Sequence, residues 1–154
     1  MYKRQASKFS FGDPSLQLDQ NASWFSDLGV SYHVGLYGFS LWLVGMSVVV
    51  LGAAIAYAFW TGRARPRAYF GLMLFLTGAV VGVFSSLDLL LFYVFFEAML
   101  IPLYVLVGVW GGAGRLTATI KFVIYTMAGS LLMLASVIVY GLQKNTFDLS
   151  LIHI

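Results

Sequence analysis

Cysteine is absent from this chain, which excludes disulfide frames, thiolate metal sites and catalytic thiols. Charge is scarce as well: 10% of the residues are charged, against about 25% in an ordinary soluble domain. The two histidines and six acids among 154 residues show no ligand-like spacing, so neither a metal nor any other cofactor is expected. The net charge of +3 is scattered over loops and is no nucleic-acid signature. No signal peptide is visible, because Ala6-Ser-Lys-Phe-Ser-Phe-Gly-Asp-Pro14 follows the basic start where an apolar run would be expected. Hydrophobic residues make up 60% of the chain and the mean hydropathy is +0.88. This is the composition of a membrane protein, with its first helix acting as its own insertion signal.

Residues 1–38 read as an extracytoplasmic polar and aromatic lead-in, with turn signals at Gly12-Asp-Pro14 and Asp19-Gln-Asn21. Trp24, Phe25, Tyr32, His33 and Tyr37 suit a membrane–water interface. Four apolar runs follow, at 39–60, 68–86, 89–110 and 118–142, and a tail occupies 143–154. Each run is close to the roughly 20 residues that cross a bilayer as a helix, and the connections are too short to cross it. The fold class expected is therefore an all-α membrane protein with four antiparallel transmembrane helices. Arg63, Arg65, Arg67 and Arg115 all belong to the first and third connections. The positive-inside rule places those loops in the cytoplasm and both termini outside. Gly78-x-x-x-Gly82 and Ala128-Gly129-Ser130 are candidate helix-packing faces. Pro102 should bend its helix by removing a hydrogen bond to Ala98.

Glu97 is the one charge in the run from Leu89 to Trp110. An ionised acid at the centre of a spanning helix costs roughly 2.5–3.5 kcal/mol. Two readings stand side by side: a protonated carboxyl bonded to a neighbouring helix, or a carboxylate that takes up and releases protons along a path through the membrane. In the second, burial favours the neutral form of a carboxyl and a nearby cation the ionised form, so a cation that moves can switch the proton. Lys121, near the start of the next run, is the candidate for that cation. Its depth differs from that of Glu97 by about nine residues, or roughly 14 Å along helices, which a lysine side chain cannot bridge. Lys121 either snorkels to the interface or takes part in a proton route. Asp88 reads as a helix N-cap more readily than as an ion-path residue, and His33 as an interface residue more readily than as a titrating one.

The stretches LDLLLFYVFFEAMLIPLYVLVGVWGG at 87–112 and TATIKFVIYTMAGSLLMLAS at 117–136 closely resemble the subunit-M family of proton-translocating NADH–quinone oxidoreductase (complex I; chain four in mitochondria). SYHVGLYGFSL at 31–41 is similar to the stretch that enters that family's third membrane helix. The similarity covers roughly 24–145. It implies helices three to six of an antiporter-like subunit of about fourteen, without flavin, iron–sulfur cluster or quinone of its own. The expected setting is a bacterial cytoplasmic membrane, with other membrane-arm subunits of complex I, the lipid bilayer and protons as partners and no nucleic acid. Glu97 matches the family's fifth-helix glutamate, whose lysine partner lies on a later, broken helix. Lys121 matches the basic residue of the Ala-Thr-x-Lys-Phe pattern, and His33 the Tyr-His-x-Gly segment. These two, Glu97 and Lys121, are the candidate catalytic positions.

One departure stands out: Tyr37 occupies a position where the family has an aspartate. The last six residues, Leu149-Ser-Leu-Ile-His-Ile154, resemble a translated sequencing-adapter end. The chain is therefore expected to be a fragment, with His153 outside its natural sequence. Two other functions fit the same residues: a subunit of a multisubunit cation/proton antiporter, and a structural membrane helix bundle in which Glu97 makes a packing hydrogen bond.

Overall fold

The computed structural model describes residues 16–25, 30–144 and 147. Strands β1 (Gln17–Phe25) and β2 (Val30–Leu36) come first, followed by helices α1 (Gly38–Thr61), α2 (Pro66–Ser85), α3 (Leu89–Trp110) and α4 (Arg115–Lys144). Each helix is long and apolar enough to cross a membrane. The shortest has 20 residues, which gives about 30 Å at 1.5 Å per residue, the thickness of a hydrocarbon core. Packing follows chain order, α1 on α2, α2 on α3 and α3 on α4, as the short connections require.

The helix ends depart from the hydropathy limits for local reasons. α2 starts at Pro66, since proline suits a first helical position, where its missing N–H costs nothing. Arg65 precedes it in the left-handed region, at φ 55°, and turns the chain into the helix. α4 begins at Arg115 and runs to Lys144, because its polar ends stay helical beyond the apolar run. α3 continues through Pro102, which is buried.

The lead-in contains structure that its sequence did not announce. β1 and β2 pair antiparallel, with Asn21 opposite His33 and Ala22 opposite Tyr32. Asp19-Gln-Asn21 was expected to turn; it lies within β1 instead. The turn signal marks an irregularity in the strand: Leu18 has φ 58° and the register shifts between Gln17 and Gln20, as at a bulge. The second signal, Gly12-Asp-Pro14, lies outside the described residues, as do residues 149–154 and His153.

The hairpin is fastened to the α2–α3 connection. The Leu87 N–H donates to the His33 carbonyl at 2.9 Å, and Val34 bridges Ser86. Asp88 caps α3 as expected, its Oδ1 accepting from Leu90 N–H at 2.8 Å and Leu91 N–H at 3.1 Å. Its Oδ2 accepts from the Ser31 N–H of β2 at 3.2 Å. One fully buried carboxylate thus serves both a helix start and a strand. His33 is buried, with Nε2 2.8 Å from Asp19 Oδ1, so it is tied into the hairpin.

Close helix contacts fall at small residues. A Cβ on Gly82 would overlap the Phe95 ring of α3. Gly78, the other half of that motif, faces open space, and so does Gly129. Gly108 of α3 lets Thr119 of α4 approach, with Thr119 Cγ2 3.6 Å from the position a Cβ would take. At the arginine-bearing end the Trp110 Nε1–H donates to the Ala64 carbonyl at 2.8 Å, and Tyr69 meets the Trp110 ring edge-on at 5.3 Å.

Candidate functional site

Glu97 lies near the middle of α3, eight residues after Leu89. Its backbone is satisfied within the helix, so the carboxyl is the group in need of a partner. Oε1 is shielded and has no hydrogen-bond partner. Tyr93, one turn earlier on α3, brings its hydroxyl within interaction range of the Glu97 carboxyl and of Ser130 on α4. Ser130 is buried and donates to the Met127 carbonyl at 3.1 Å. The arrangement is a short polar row, Glu97–Tyr93–Ser130, set across the α3–α4 contact in otherwise apolar surroundings.

An open groove of about 320 Å³ adjoins the carboxyl. Glu97, Leu100, Ile101 and Tyr104 line it from α3, and Phe122, Val123, Thr126 and Met127 from α4. Thr126 spends its hydroxyl proton on the Phe122 carbonyl at 2.7 Å, which leaves its lone pairs free to accept. A carboxyl in such a place either holds a proton or meets a cation, because an unpaired ionised group loses its hydration for nothing in return.

Lys121 does not supply that cation. It is exposed on α4 and is not part of the groove lining, although its neighbours Phe122 and Val123 are. Among the described residues Glu97 and Lys121 form no ion pair, in keeping with their difference in depth. Tyr37, at the position where the resembled family has an acid, is the N-cap of α1 and makes no side-chain capping bond. An aspartate there would cap the helix in the manner of Asp88. Sequence reading passed over Tyr93 and noted Ser130 only for packing. The i, i+4 spacing of Tyr93 and Glu97 was the available signal, since it places both on one helix face.

Four consecutive antiparallel helices, each long and apolar enough to cross a membrane, define a multi-pass integral membrane protein. A family model described as NADH:quinone oxidoreductase/Mrp antiporter, TM, matches residues 86–153. NADH-quinone oxidoreductase subunit M of Rickettsia bellii is 34% identical over 143 residues, 93% of this chain and 29% of its own length. F(420)H(2) dehydrogenase subunit M of Methanosarcina mazei is 38% identical over 129 residues, 84% of this chain and 26% of its own. Among solved structures, a chain of respiratory complex I from Thermus thermophilus superposes with a TM-score of 0.73 at 36% identity, covering 89% of this chain and 29% of that one. Residues 86–153 thus match the NADH:quinone oxidoreductase/Mrp antiporter membrane domain, and over most of its length the chain is similar to subunit M. It spans less than a third of the length of these relatives.

Proposed function

We propose that this chain forms part of a proton-translocating membrane-arm subunit of a respiratory quinone oxidoreductase, in a bacterial cytoplasmic membrane, with Glu97 as a proton-transfer residue. The observation that carries the reading is the shielded, unpartnered Oε1 of Glu97 at mid-helix, beside an open groove. A purely structural glutamate would be expected to satisfy both oxygens within its own bundle. A carboxyl left half-satisfied can exchange its proton with whatever enters the groove. The Tyr93 and Ser130 hydroxyls are its polar neighbours towards α4.

The switching cation comes from outside the four helices, since Lys121 does not reach. Charge moved near a buried carboxyl, or away from it, changes whether it keeps its proton. Redox chemistry elsewhere in the complex would drive that movement. Lys121 links the site electrostatically, or through water, to the arginine-bearing side. The electron donor is set by other subunits: subunit M relatives carry names for NADH-quinone and for F(420)H(2) enzymes, while the membrane segment stays similar. This chain therefore contributes the proton path and not the oxidation.

The test replaces Glu97 by Gln in the assembled membrane complex, which keeps the shape and removes the titration. Quinone reduction coupled to proton pumping should fall at least tenfold while assembly is unchanged. Wild-type pumping in that variant would leave Glu97 a packing residue. A cation/proton antiporter subunit would show ion exchange without NADH-dependent quinone reduction in the same membranes.

A further inference from the structure

A second groove lies apart from Glu97, on the outer side of α1 and α2. Its volume is about 490 Å³, and Gly52, Ile55, Ala56 and Phe59 line it from α1 and Phe70 and Leu74 from α2. The α1 residues follow the 3, 4, 7 spacing of one helix face. No lining residue carries a charge or a polar side chain, so the groove suits a hydrocarbon. From Gly52 to Thr61 is nine residues, or about 14 Å along the helix, which is close to half of a roughly 30 Å hydrocarbon core. The groove therefore extends over one leaflet.

The end of the groove is marked by aromatics and arginines. Phe59 and Phe70 come together there, with ring centroids 6.3 Å apart, and Trp60 beside them is 85% exposed, as suits an interfacial ring. Beyond them the connection carries Arg63 and Arg65, and the first turn of α2 carries Arg67. Arg63 lies against the Tyr69 ring, 5.9 Å from its centroid. Arg65 and Arg67 are exposed and make no ion pair among the described residues. Arg67 stands on the same face of α2 as Phe70 and Leu74, three and seven positions on, and so over the groove. Neither arginine-bearing connection contains an acid, and the chain's six acids all lie elsewhere.

We infer that this groove is a binding site for an anionic phospholipid of the cytoplasmic leaflet. One acyl chain lies along Gly52, Ala56 and Leu74, and the phosphate meets Arg65 and Arg67. The charge complementarity selects the lipid over another transmembrane helix, because a helix would bring no phosphate to two unpaired guanidiniums. Basic residues beside an interhelical groove on the cytoplasmic side recognise such headgroups.

The experiment uses the assembled protein in nanodiscs with photoactivatable acyl-chain analogues of phosphatidylglycerol and phosphatidylcholine. Crosslinks are mapped by mass spectrometry to the peptides spanning 52–74. The wild type should favour phosphatidylglycerol there, and Arg65→Gln and Arg67→Gln should each lower that preference roughly fivefold. Gly52→Leu should abolish crosslinking of both lipids. A Cβ at Gly52 meets nothing within 4 Å, so this variant fills the groove without disturbing the fold. Excess inorganic phosphate should leave the crosslinks in place. Equal labelling by the two lipids, full labelling in Gly52→Leu, loss to free phosphate, or a protein helix seated in the groove of the assembled complex would each overturn the site.

Discussion

Asp88 shows how much one side chain can hold in a chain with so few polar groups. Its carboxylate accepts from two N–H groups of the first turn of α3 and one of β2, and it is fully buried. Replacing it by Ala removes the cap, worth about 0.5–2 kcal/mol, and strands the Ser31 N–H at a further cost of about 1–3 kcal/mol. Asp88→Ala should therefore lower the thermal stability of the protein in detergent. It should also speed amide exchange in β2 and at the start of α3, with the α4 amides little changed. Equal protection in both variants would mean that the carboxylate is dispensable. The cap itself was legible, since an aspartate directly before an apolar run has few other uses. The Ser31 contact was not, because 57 residues separate donor from acceptor and no local pattern records such a pair. The same holds at Glu97: its place near mid-helix could be read by counting, but the nearness of Tyr93 to Ser130 depends on how α3 and α4 rotate against each other.

At the scale of elements, apolar length was sufficient to find all four helices, because a bilayer demands runs that no soluble helix needs. It said nothing of which face packs, since α1 is apolar all round and buries only Ala58. The hairpin was hidden for the opposite reason. Its residues are polar, and Asp19-Gln-Asn21 reads as a turn, whereas pairing with β2 absorbs that signal as a bulge. The glycine pair in α2 gives a sharper test of the packing. A side chain at Gly82 must displace the Phe95 ring, while one at Gly78 meets open space. Gly82→Leu should reduce assembled protein severalfold and lower its stability by about 1–3 kcal/mol, as overpacking does. Gly78→Leu should behave as wild type if lipid covers that face. Measuring both by thermal denaturation in the same detergent separates a packing glycine from a frequent one. Equal losses would show that another helix covers Gly78.

Across the whole molecule, charge is divided between the two ends. Asp19, His33 and Asp88 gather with the hairpin at one end, and Arg63, Arg65, Arg67 and Arg115 stand at the other. That division was visible in the sequence once the spans were placed, because even-numbered crossings bring alternate connections to the same side. The structure adds that the arginine end is knitted together, with Trp110 bonded to Ala64 across two connections. The positive-inside rule predicts that this end faces the cytoplasm. The absence of cysteine from these 154 residues helps to measure the orientation, since an introduced thiol is the only one within them and its labelling can be mapped to its own peptide. Thr61→Cys and Gly112→Cys lie at the arginine end, where both positions are exposed. In intact cells they should resist a membrane-impermeant maleimide and react once the membrane is opened. Tyr32→Cys, on an exposed position of β2, should react from outside without permeabilisation. The reverse pattern would invert the molecule, put the arginines outside, and remove the cytoplasmic-leaflet lipid site.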